Sequence, residues 1–113
     1  MPRPPNRFEP ELLRIEATHE AGTVTFKVAG ELDTTTRSYL QAQIEDVLAS
    51  RPESVTVDGS ELTFLDSSGF AALLRARARA KEAAVPFRIV DPSPALRRMA
   101  DVGGIGDEFL YDW

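Results

Sequence analysis

The sequence predicts an α/β fold: a mixed β-sheet of four to five strands, covered by three or more helices mainly on one face. Three observations predict it. Two apolar–polar stretches separated by Ala21-Gly22 read as an opening hairpin. After them, strand-like runs alternate with runs of helical period, which requires crossovers and a sheet covered by helices. The 113 residues are 42% hydrophobic, enough for one core and one domain.

The first ten residues carry four prolines and few apolar groups, so 1–10 is expected to be a disordered tail and 11–113 a single domain. Leu12-Leu13-Arg14-Ile15-Glu16 predicts a short strand. Val24, Phe26 and Val28 alternate with Thr25 and Lys27, the period of a half-buried strand. A hairpin loop is expected across 17–22, and Gly30 is expected to end the second strand. Glu31 to Thr36 forms a polar turn in which Asp33 or a threonine can cap the helix that follows. Tyr39, Leu40, Gln43, Ile44, Val47 and Leu48 recur at helical spacing until Pro52.

Ser54 to Asp58 reads as a strand, Gly59-Ser60-Glu61 as a loop, and Leu62, Phe64 and Leu65 as a return to the core. A second helix starts near Asp66 or Ser67, with Phe70, Leu73, Leu74, Ala78 and Ala84 near its apolar face. Pro86 to Val90 is a strand with its proline at the start, where a missing N–H does least harm. A third helix carries Leu96, Met99 and Val102 and stops at Gly103-Gly104. Phe109-Leu110-Tyr111 is expected to be a last strand.

Composition excludes several chemistries. There is no cysteine, so disulfides, thiolate metal sites and a thiol nucleophile are ruled out. With His19 the sole histidine, a multi-histidine metal site is ruled out as well, and no cofactor is expected. No apolar run approaches the ~20 residues of a membrane span, and the N-terminus lacks the apolar core of a signal peptide. A cytoplasmic site of action is expected. The net charge of −5 disfavours nucleic acid as a partner. Charge is nevertheless polarised. Residues 67–100 hold seven basic groups, among them Arg75 and Arg79, against Glu82 and Asp91. Such polarity suits a charged protein partner, and it also fits solvated helix faces.

Two segments could carry chemistry. In Phe64-Leu65-Asp66-Ser67-Ser68-Gly69-Phe70, small polar residues open a helix. Backbone N–H groups there lack internal partners and attract anions, so a serine phosphate would be favourably placed. Gly30-Glu31-Leu32-Asp33 likewise ends a strand and opens a helix. Right-handed crossovers gather such loops at one sheet edge, which brings Asp33 and Ser67 together. Taken alone, both segments also fit ordinary helix caps.

These two boxes, about thirty residues apart, resemble those of a bacterial anti-sigma factor antagonist of the STAS domain family. Leu62-Thr63-Phe64-Leu65 before the second box, and Asp91-Pro92-Ser93-Pro94-Ala95-Leu96-Arg97-Arg98-Met99 followed by Gly104-Ile105, extend the likeness over roughly 11–111. It implies a STAS-like sheet. It also implies a protein that is not an enzyme, and that binds an anti-sigma factor, usually a serine kinase, and so frees a sigma factor. The kinase would phosphorylate Ser67 and a serine phosphatase would reverse it, with Asp33 close to the modified serine. Ala83-Ala84 departs from the family, many of whose members have a glycine before the fourth strand.

The expected partner surface comprises Asp33, Thr34, Asp66, Ser67, Ser68, Gly69, Phe70 and Arg75, with Phe70 fitting an anchor and a core residue equally. The alternative is a non-switching STAS interaction or scaffold module of a larger signalling assembly. A Ser67–His19 hydrolase would lack the Gly-x-Ser-x-Gly elbow. Nucleotide binding lacks both phosphate-loop patterns. DNA binding through Arg75 and Arg79 would have to be salt-sensitive.

Overall fold

The computed structural model describes residues 12–103. The expected tail over 1–10, the Gly104-Ile105 turn and the strand at 109–111 lie outside the described residues. Seven elements follow in order: β1 (Leu13–Glu20), β2 (Thr23–Leu32), α1 (Arg37–Ala49), β3 (Ser54–Leu65), α2 (Ser67–Glu82), β4 (Phe87–Val90) and α3 (Pro94–Val102). The four strands form one mixed sheet in the order β1-β2-β3-β4. β1 is antiparallel to β2, and the other two pairs are parallel.

The hairpin is tighter than expected. Glu20 pairs with Thr23, so the loop is Ala21-Gly22 alone, with φ of 52° and 85°. Positive φ at both turn residues matches the right-handed twist of the flanking strands, which lets β1 continue through 17–20. Gly30 does not end β2, which runs on to Leu32. Gly30 has φ of 105°, and a Cβ there would collide with the Leu12 carbonyl oxygen, so the glycine serves close approach and not termination.

Gly59-Ser60-Glu61 is not a loop but part of β3. From Lys27 to Leu32 on β2, the paired partners on β3 run from Asp58 to Leu65. β3 therefore carries two extra residues, one between Asp58 and Glu61 and one between Leu62 and Phe64, each a β-bulge. The bulges shift the inward positions from Val55, Val57 and Gly59 to Leu62 and Leu65. Phe64, expected in the core, consequently points out and is 48% exposed.

One face of the sheet is covered by all three helices. Val24, Phe26, Val28, Val55, Val57, Phe87 and Ile89 meet Leu40, Ile44 and Leu48 of α1, Leu73, Ala76 and Ala80 of α2, and Leu96 and Ala100 of α3. The other face presents Lys27 and Arg88 to solvent. The buried stripe of α2 runs through Ala76 and Ala80. Ala78 and Ala84, expected on that face, are exposed, as are Gln43 in α1 and Val102 in α3. Alanine at the buried positions lets α2 sit close to the sheet.

α2 ends in a Schellman motif: the Ala84 N–H donates to the Lys81 carbonyl and the Val85 N–H to the Ala80 carbonyl. Ala84 takes φ of 59°, a conformation that glycine adopts without penalty. The departure at Ala83-Ala84 thus falls on the residue that the turn strains.

Candidate functional site

Because β2 and β3 are parallel, their C-terminal ends open at the same edge, and both candidate loops lie there. Leu32 pairs with Leu65, the residue before the Asp66-Ser67-Ser68-Gly69 box. The Asp66 N–H donates to the Leu32 carbonyl at 3.4 Å. A Cβ on Gly69 would fall inside the van der Waals radius of that same Leu32 oxygen, so only glycine lets α2 start this close to β2.

Asp33 organises its own loop. Its Oδ1 accepts from the backbone N–H groups of Thr35 (3.0 Å) and Thr36 (3.1 Å) and from the Thr36 hydroxyl (3.2 Å). The hydroxyl of Thr36, a fully buried residue, also lies 2.8 Å from the Glu31 carbonyl as donor and 3.0 Å from the Asp33 N–H as acceptor. Thr36 precedes α1 but makes no side-chain cap bond to it. Asp33 is therefore a turn-forming residue more than a helix cap, a common use of an Asx side chain.

Asp66 is the N-cap of α2. Its Oδ1 accepts from the Gly69 N–H at 2.9 Å and from the Ser68 hydroxyl at 2.7 Å. Those two donors, then the backbone N–H groups of Ser68 and Thr34, hold its carboxyl below the ordinary Asp range, against a desolvation that raises it. Ser68 Oγ also lies 2.9 Å from Thr34 Oγ1. Asp66, Ser68 and Thr34 thus form one polar chain that ties the two loops together.

The two serines differ. Ser68 is partly buried and engaged in that chain. Ser67 is exposed, and its hydroxyl has no hydrogen-bond partner among the described residues. It sits at the first position of a 16-residue helix, directly after the N-cap Asp66. A phosphoryl group on Ser67 would meet the positive end of the helix dipole, although the Gly69 and Phe70 N–H groups already donate to Asp66.

Phe70 belongs to the core: it is 7% exposed, and a Cβ on Gly103 would lie 3.5 Å from its ring. Of the two roles that Phe70 fitted equally, anchor and core residue, its burial matches the core residue. Arg75 is exposed on α2, while Arg79 lies 3.8 Å from Glu45. His19 pairs with Val24 at the start of β2, eight strand positions from the edge that carries Ser67. That separates the two by roughly 26 Å and excludes a Ser67–His19 pair. Among the described residues no cluster of groups could hold a metal ion, and no helix is long and apolar enough to cross a membrane.

Phe64 is the residue at this edge that sequence reasoning misplaced. The signal was present in the Leu62–Leu65 spacing, which is three and not two.

Comparison with known proteins finds the same fold. Residues 15–111 match the family model described as "Mlab, STAS domain". The anti-sigma F factor antagonist of Paenibacillus polymyxa is 27% identical over 94 residues, covering 82% of this chain and 80% of the relative. The anti-sigma-F factor antagonist RsfB of Mycobacterium tuberculosis is 26% identical over 100 residues, covering 88% and 81%. The crystal structure of an anti-sigma factor antagonist from Mycobacterium paratuberculosis superposes with a TM-score of 0.78 at 28% identity, covering 90% of this chain and 87% of that one.

Proposed function

The chain belongs to the STAS domain family, and from that premise we propose that it acts as an anti-sigma factor antagonist. It works by binding: docking on an anti-sigma factor in the cytoplasm frees a sigma factor. The anti-sigma factor is a serine kinase that phosphorylates Ser67, and a serine phosphatase reverses the reaction.

The observation that carries this reading is the contrast between Ser67 and Ser68. Ser67 projects from a helix start a hydroxyl that has no partner among the described residues, whereas Ser68 is held between Asp66 and Thr34. Phosphorylation adds −1.5 to −2 charges, by the general estimate for a phosphoserine. At Ser67 this charge falls beside Asp33 and Asp66 but against the helix N-terminus, so the fold is kept. A docked partner would have to bury the phosphate. A penalty of roughly 3 kcal/mol weakens binding about a hundredfold, enough for a switch.

The test is peptide-level mass spectrometry after incubation with the cognate anti-sigma factor and ATP. Phosphate on Ser67 with loss of the complex is the expected result. A stable complex with no phosphate on the chain would favour the non-switching scaffold module instead.

A further inference from the structure

Among the described residues, three large hydrophobic side chains are exposed: Tyr39 (41%), Phe64 (48%) and Val102 (80%). All three stand at the edge that carries Ser67. Tyr39 is the third residue of α1, and its N–H donates to the Thr36 carbonyl of the Asp33 loop. Phe64 lies three residues before Ser67, at most about 10 Å along the chain. Val102 ends α3 beside Gly103, which lies against Phe70 in the first turn of α2. A soluble domain scatters exposed apolar groups singly, and their gathering around one edge marks an interaction surface.

We propose that these three side chains form the apolar rim of the anti-sigma factor interface, with Phe64 its principal anchor. The inference rests on the antagonist reading and deepens it. The centre of the surface is hydrophilic, made of Thr34, Asp66, Ser67 and Ser68, and offers little apolar area to bury. A switch needs that composition, because binding strength and phosphate sensitivity can then reside in different groups. Phe64 is placed to supply the strength. It is aromatic, the type most often found as an interface anchor, and the β3 bulge that turns it outward also sets it next to the box. The partner that fits is a protein presenting an apolar pocket beside the groups that face Ser67.

The experiment is calorimetric titration of the full chain with a purified anti-sigma factor of the same organism, comparing wild type, Phe64→Ala, Phe64→Leu, Val102→Ser and Thr18→Ala. Phe64→Ala is expected to weaken binding at least tenfold with an unchanged melting temperature. Phe64→Leu should recover part of the loss, Val102→Ser should weaken binding a few-fold, and Thr18→Ala on β1 should bind like wild type. Should wild type bind, Ser67→Asp lose binding and Phe64→Ala bind unchanged, this inference is overturned and the antagonist reading stands. Should wild type bind no anti-sigma factor, the antagonist reading fails and takes the inference with it.

Discussion

The hydroxyl oxygens of Thr34 and Ser68, thirty-four residues apart in the chain, lie 2.9 Å from each other. The bond joins the turn after β2 to the first turn of α2, and Ser68 passes it on to Asp66. Ser68→Ala removes both links on a partly exposed surface. A loss of about 1 kcal/mol is expected in denaturant unfolding. Phosphorylation at Ser67 should survive the substitution, because the Ser67 hydroxyl takes no part in the chain.

Ser67→Asp carries a single negative charge and no phosphate geometry. It is expected to fold with a melting temperature within a few degrees of wild type. Binding to the anti-sigma factor should fall by more than tenfold. Equal affinity of the two proteins in the same titration would sink the switching mechanism.

Asp66 caps α2, and replacing it with Ala is expected to lower stability by about 1 kcal/mol. The carboxyl is depressed in the folded state, by the Gly69 N–H first and the Ser68 hydroxyl second. Its contribution is therefore complete above the ordinary Asp value near 3.8 and is lost as pH falls through the lower folded value. Wild type and Asp66→Ala should converge in stability as acid is added below pH ~4. A constant gap down to the acid transition would show that the charge is not what caps the helix.

Gly69→Ala should be far more damaging than its chemistry suggests. The added methyl would press on the Leu32 carbonyl, and backbone cannot move aside as a side chain can. A loss of several kcal/mol, or failure to fold, is expected, in line with overpacking at a close contact. Alanine at Gly103, where the nearest atoms lie 3.5 Å away, should be tolerated and serves as the control.

Ala84→Gly is expected to stabilise the chain. Ala84 is exposed and has φ of 59°, so the change relieves strain without opening a cavity. The gain should be about 1 kcal/mol, read as a rise in the denaturant midpoint at unchanged slope.

Much of this architecture is determined by the sequence alone. Alternation at Val24, Phe26 and Val28 fixed β2, helical spacing through Leu40, Ile44 and Leu48 fixed α1, and the two boxes marked the edge where the loops meet. These signals are local, set by side-chain period and by polar residues at helix starts. Tertiary structure decided the rest. Two bulges in β3 turned Gly59-Ser60-Glu61 into strand and swung Phe64 outward, because pairing with β2, thirty residues away, absorbs residues that simple alternation cannot. The distinction between Ser67 and Ser68 is of the same kind. Adjacent in sequence and identical in chemistry, they differ because Asp66 and, from thirty-four residues away, Thr34 engage the Ser68 hydroxyl, while Ser67 is left in solvent.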